Sequence, residues 1–270
     1  MKRLLILALF TGLILAAGIR MAPATFVVDG IVPGEDIELY EKYGHIIKVW
    51  GGANLVNYWF EPVKPTESGT KITGYFDFED PNWFTLQFDT LVVPDGGEDP
   101  VENKMYLNIP YDDNYYNRHW LLGVNVSPVI KEGMGSIVLG AYLQLRFETA
   151  PKADVVPDVN YDEIVFVPSV VEFNDVVPGQ EYLAKVTVYS GNRLKGKYQL
   201  YPLDPESPVG KVTILNAPGY RRLPDQSWLY YEPEIEIPKL GSYDIYLSLY
   251  IPEKPDRKRY EELVMIEGHT

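Results

Sequence analysis

The chain has 270 residues, 24 Lys+Arg against 38 Asp+Glu, no Cys, and 22 each of Gly and Pro. A hydrophobic share of 46% excludes wholesale disorder, and a net charge of −14 argues against nucleic acid or an anionic membrane surface as partner. Without Cys, stability has to come from burial and not from disulfides.

In chain order, the first element is an address. Lys2 and Arg3 precede an apolar run from Leu4 to Ala17. Small residues follow, with Ala22-Pro23-Ala24 as an A-x-A cleavage site and a cut nearer Gly18 as the alternative. The run is shorter than the roughly 18–20 residues that cross a bilayer, so residues 1–24 read as a signal peptide. The mature chain is then expected to be secreted or periplasmic, in the cell envelope, with no membrane span.

Beyond this leader, amphipathic helical patterns are nearly absent. Pro and Gly punctuate the chain at Val32-Pro33-Gly34, Pro94-Asp95-Gly96-Gly97, Val177-Pro178-Gly179 and Ala217-Pro218-Gly219. Strands are expected at Trp120–Val126, Ile137–Phe147, Leu183–Tyr189 and Tyr243–Ile251, because alternating residues send one set of side chains inward and the other to solvent. The Pro-rich stretch Ala150–Asp158 lacks sustained periodicity and reads as a short linker. The expected fold is all-β: two immunoglobulin-like antiparallel β-sandwiches in tandem, residues 25–150 and 159–270, joined by 151–158. The first carries insertions near Lys64–Gly74 and Asp95–Asn103.

The halves repeat one another. Asp29–Glu35 matches Asn174–Gln180 and Asn82-Trp83 matches Ser227-Trp228, both at an offset of 145; Leu107–Pro110 matches Leu249–Pro252 at 142. Ordered anchors at nearly constant spacing indicate a duplicated module, with Trp83 and Trp228 as core residues on a strand. The stretch Ile164–Gln180, with its Pro168 and Val171-Glu172-Phe173, followed by Ala184–Tyr189, resembles the opening of sandwiches of the major sperm protein and ASH type. The resemblance implies a non-enzymatic interaction module and carries no site residues.

Motifs of chemistry are thin. Gly191–Lys197 fits Gly-x-x-x-x-Gly-Lys, but Tyr198 stands where Ser or Thr would hold Mg²⁺, and a strand pattern follows, so a hairpin loop is expected. His45, His119 and His269 lack metal-ligand spacing, and no nucleophile has a partnered base. Acidic clusters at Asp77–Asp80, Asp95–Asp99 and Asp112–Asn114 lack the Ca²⁺-loop spacing and read as solvated acids. Neither a metal nor a cofactor is expected.

The loop Tyr111, Asp112, Asp113, Asn114, Tyr115, Tyr116 and Asn117 interleaves aromatics with acids and amides, a composition suited to a protein interface or to a sugar face. These residues are the candidate binding site. The expected function is a non-enzymatic structural or interaction protein that binds an envelope or extracellular protein partner through sheet edges or end loops. A carbohydrate-binding module centred on residues 111–117 is the alternative, and a polysaccharide-active enzyme the third reading.

Overall fold

The computed structural model describes residues 20–51, 56–65, 75–94, 99–129, 140–160, 163–191, 195–202, 221–255 and 259–269. The apolar run Leu4–Ala17, residues 66–74 of the first insertion and 95–98 of the second, the turn at Ala217–Gly219, and Asn192–Leu194 of the P-loop-like stretch lie outside the described residues.

The N-terminal half contains β1 (Arg20–Ala22), β2 (Thr25–Ile31), β3 (Asp36–Glu38), the short helix α1 (Leu39–Tyr43) and β4 (Ile47–Trp50). Next come β5 (Val56–Val63), β6 (Phe76–Asp77), β7 (Phe84–Leu86), β8 (Thr90–Val93), β9 (Val101–Asn103) and β10 (Met105–Asn108). The long pair β11 (His119–Pro128) and β12 (Ala141–Thr149) closes this half. The C-terminal half contains β13 (Ile164–Val167), β14 (Glu181–Ser190), β15 (Gly196–Pro202), β16 (Leu229–Tyr230), β17 (Glu234–Ile237), β18 (Ser242–Tyr250) and β19 (Val264–His269).

The fold is all-β, and each half is a two-layer sandwich. In the first, the sheet β2-β12-β11-β5-β8 faces two three-stranded sheets, β1-β4-β9 and β3-β10-β7. Phe26, Val28, Val49, Phe60, Leu107, Leu122, Leu145 and Phe147 join all three in one core. In the second, β13-β14-β18-β16 faces β17-β15-β19 over Val188, Tyr198, Leu200, Ile235, Ile237 and Ile245. Alternation is what makes this possible, since one buried face per strand is all that a two-layer sandwich needs.

The repeat anchors make the same hydrogen bonds in both halves. Gly34, at φ 92°, donates its N–H to the Ile109 carbonyl at 2.8 Å; Gly179, at φ 86°, donates to Ile251 at 2.7 Å. Glu35 N–H closes the turn onto the Val32 carbonyl at 3.2 Å and Gln180 onto Val177 at 3.3 Å, so each glycine is the third turn residue, where a positive φ is required and glycine adopts it without steric cost. Asp80 caps a single 3₁₀ turn by accepting from Asn82 N–H at 2.9 Å, and Asp225 does so from Ser227 N–H at 2.8 Å. The Trp anchors, expected inside a strand, instead close these turns, and neither is fully buried. Asx capping competes with the sheet ladder here and wins.

Strand pairing agrees as well. Leu107 lies between Ile37 and Phe84, and its counterpart Leu249 lies between Tyr182 and Leu229. Helix α1 interrupts the strand that runs unbroken as β14 in the other copy. The paired sheets of the first half therefore correspond to one four-stranded sheet in the second. In the opposite layer, β11 corresponds to β19, but β11 also carries β12 and β2 beyond it; among the described residues these two strands have no C-terminal counterpart.

Candidate functional site

Strand β12 departs from its own pattern. Its sequence alternates apolar and polar, so Gln144, Arg146 and Glu148 should face water, yet every residue from Leu143 to Thr149 is buried. Leu143, Leu145 and Phe147 fill the core, while of the buried polar set Arg146 reaches the C-terminal half. Arg146 Nε lies 2.5 Å from Glu148 Oε1, and its NH2 group donates to Glu261 of the other half at 2.6 Å. Tyr75 donates its hydroxyl to Glu148 at 3.4 Å, and His119 Nδ1 lies 3.7 Å from the same carboxylate. Burial by itself would raise the Glu148 pKa, but the His119 and Arg146 contacts overcome it and hold the carboxyl down to about 2. Burial and the Glu148 charge push the Tyr75 hydroxyl well above its ordinary value.

The loop 111–117 lies at the same junction. Asn117, at φ 57° and 3% exposed, donates from Nδ2 to the Lys152 and Val155 carbonyls at 2.8 and 2.9 Å. Its Oδ1 accepts from the backbone N–H of Lys152 and of Ser169, each at 3.1 Å. One amide thus holds the linker and the start of the second sandwich with all four of its hydrogen-bonding positions. Asn114 Oδ1 accepts from Asp158 N–H at 3.0 Å, and Arg118 donates to the Asn114 and Asp158 carbonyls. Asp112 caps a 3₁₀ turn, and Asp113 pairs with Lys152 at 3.0 Å, whose ammonium stands 4.9 Å from the Tyr116 ring centre. Tyr115 packs on Trp83 and Trp120, with ring centres 4.9 and 6.0 Å apart. Of the seven candidates, Tyr111 stays outward, and the other six have roles inside the chain. Through Asn114, Asn117 and Asp113 the loop is bonded to the segment that joins the protein's own halves. The short linker is clasped at Lys152 and Val155.

A different surface stands open. On the outer face of β14-β18-β16, Leu183 lies opposite Ser248, which lies opposite Tyr230. Tyr246 and Tyr250 flank Ser248 along β18, so four large side chains form a diamond about one serine. They are 74% (Leu183), 69% (Tyr230), 66% (Tyr246) and 49% (Tyr250) exposed. The surrounding polar groups are already occupied: Ser248 donates to Glu181 at 2.5 Å, and Lys185 pairs with Asp244 at 3.1 Å. Beside Tyr230 opens a cleft of about 350 Å³, lined in part by Leu223, Tyr231 and Glu262. Burial raises the Glu262 carboxyl above its ordinary pKa there, against the pull of Arg222.

The repeat supplies a control for this surface. The first sandwich has Glu38, Tyr106 and Thr85 in the row occupied by Leu183, Ser248 and Tyr230. Lys104 and Asn108 stand where the second has Tyr246 and Tyr250. Lys104 pairs with Glu38 at 2.5 Å, and Asn108 donates to Asp36. The module folds with ions at these places, so packing does not require the apolar diamond. Alternation names the outward set without saying which members cluster, so the diamond is invisible in one copy alone; comparing the outward residues of the two copies is the signal that finds it.

Among the described residues no three His, Asp or Glu side chains gather in a metal-holding group, and no helix is long and apolar enough to cross a membrane. No protein-family model and no curated protein matches the sequence. Solved structures to which the chain is similar include the E. coli chaperone DraB, with a TM-score of 0.35 and 10% identity over 88% of this chain and 89% of that one. The class 5 fimbriae chaperone CfaA gives 0.35 and 10%, over 92% and 98%. A two-domain protein of unknown function from Bacteroides fragilis gives 0.33 and 8%, over 87% and 88%. Likenesses this slight carry no function and no partner to the present chain.

Proposed function

We propose that this is an exported, non-enzymatic interaction protein of the cell envelope, built on immunoglobulin-like sandwiches, that docks a protein partner on the outer face of β14-β18-β16. The Leu183–Tyr230–Tyr246–Tyr250 diamond carries the reading. Exposed tyrosines and a leucine, rimmed by charges that already satisfy one another, have the composition of an interface centre that excludes water. The net charge of −14 favours a partner with a basic rim around its apolar anchor. The clasped junction at Asn117 and Arg146 supports the same role, because a fixed arrangement of two sandwiches presents its surfaces without an ordering cost on binding. Export rests on Lys2-Arg3 and the run that follows. A cut on the Gly18 side would keep β1, whose Arg20 stacks 4.8 Å over Trp50, and mass determination of the mature N-terminus tests that placement.

The decisive experiment is the exchange L183E/Y246K, which imports the ion pair of the first sandwich. A photo-crosslinking residue at position 248 in intact cells should join the protein to one envelope protein. The exchange should abolish that product while the circular dichroism and melting temperature are kept. Crosslinking that survives the exchange, or that yields no protein product in the unchanged chain, would place the docking site elsewhere.

A further inference from the structure

The opposite layer of the N-terminal sandwich carries another surface, and its chemistry is different. On the outer face of β5, Trp59 lies opposite Thr90 of β8 on one side and Ser127 of β11 on the other. Asn57 and Glu61 stand two residues before and after it, and Glu61 lies opposite Asn125. Trp59 is 45% exposed. Among the described residues, none of the Asn57, Glu61, Thr90, Asn125 and Ser127 side chains makes a hydrogen bond. An indole in water is therefore surrounded by five unoccupied hydrogen-bonding groups: Thr90 and Ser127 about 5 Å away across strands, Asn57 and Glu61 about 7 Å along the strand, and Asn125 on the diagonal at about 7–8 Å.

The repeat again acts as a control. The second sandwich has Gln199 in the place of Trp59, between Glu234 and Glu267, with Lys197 and Tyr201 before and after it. The layer folds with a polar residue among charges there, so neither strand pairing nor the core calls for an exposed tryptophan.

We infer that the Trp59 face is a binding site for a neutral polysaccharide. A pyranose ring has an apolar C–H face that stacks on an indole and a rim of hydroxyls that both donate and accept. Hydroxyls and amides around Trp59 answer that rim; a protein surface of apolar anchors would leave them buried without partners. Charge narrows the class further. Glu61 is the single ionised side chain in the ring and the protein carries −14, so polyuronates and other anionic polymers are repelled. The row Asn57, Trp59 and Glu61 along β5 suits an extended chain, with one sugar on Trp59 and its neighbours over Asn57 and Glu61. This site lies in the other sandwich from the Leu183 diamond and does not depend on it.

Affinity electrophoresis of the full mature protein through gels containing mixed-linkage β-glucan, mannan or glycogen, with polygalacturonate as the anionic control, tests the inference. At least one neutral polymer should retard the protein, and polygalacturonate should not. Trp59→Ala should weaken the retardation at least tenfold with an unchanged melting temperature, Trp59→Tyr should keep part of it, and Asn125→Ala should reduce it. The exchange L183E/Y246K should leave it intact, which separates this site from protein docking. The inference is overturned if no neutral polymer retards the protein, if polygalacturonate retards it equally, or if Trp59→Ala binds as the unchanged chain does.

Discussion

Glu38 and Leu183 occupy one place in two copies of a module, and so do Lys104 and Tyr246. The first copy covers that place with an ion pair, the second with an aliphatic and an aromatic side chain left in water. On the opposite layer the contrast reverses. Trp59 stands in the first copy where Gln199 stands among charges in the second. Both copies keep the Pro-Gly turn, the Asp-capped 3₁₀ turn and the same strand registers. At these matched strand positions what differs is surface, and the difference separates residues the shared strands require from residues that face something else. The third outer surface, on β12, has no counterpart among the described residues, and there Arg146 joins the halves through Glu261.

The largest effect should come from the covered polar pair. Arg146→Ala leaves Glu148 and Glu261 facing one another at the junction, and should lower stability by about 3–5 kcal/mol, read by calorimetry. The same truncation at the uncovered pair, Lys104→Ala, should barely move the melting temperature, because water and salt screen that contact. A similar loss from both variants would end the distinction between covered and uncovered charge.

Acid should sharpen this. The Glu148 carboxyl, faced by Tyr75, His119 and Arg146, is held down to about 2 from 4.5. A depressed carboxylate contributes stability that is complete above the unfolded value and lost as pH falls through the folded one. The melting-temperature gap between the unchanged chain and Glu148→Gln should therefore be widest above about pH 5 and close toward pH 2. A gap independent of pH would mean that the ionised form is not what stabilises the junction.

Next in size is the amide that clasps the linker. Asn117→Asp keeps the shape but removes both donors and sets a carboxylate against the Lys152 and Val155 carbonyls, at a cost of about 3 kcal/mol. Limited proteolysis should then cut within 150–158 well before either sandwich. Equal resistance would show that the clasp is held without Asn117.

The two Trp anchors come third. Trp83 touches Phe78, Tyr115 and Trp120, whereas Trp228 has an edge contact with Tyr260. Truncation to alanine should cost about 3 kcal/mol at Trp83 and roughly half of that at Trp228, followed by denaturant unfolding. The reverse order would mean that the second copy leans on its anchor more than its ring contacts indicate. The smallest effect on stability belongs to L183E/Y246K, which should stay within about 3 °C of the unchanged melting temperature. A larger drop would show that the diamond stabilises the sandwich and is not there for a partner.

What the sequence by itself determined was local. Alternation at Leu183–Tyr189 and Tyr243–Ile251 set strands with two faces, and Pro-Gly set turns whose bonds close within a few residues or onto the matching Ile-Pro. Those features recur at a nearly constant offset, so the duplication is legible in the order of residues alone. Only the tertiary structure decided what covers each outward face. Alternation assigns Arg146 and Leu183 alike to the side away from the core, yet one is buried against Glu261 and the other stands in water. The same limit governs Tyr111–Asn117, whose composition does not say that Asn114 and Asn117 bond to the segment 152–158. Strand period is a property of one segment, while cover is a property of whichever distant segment the chain brings over it.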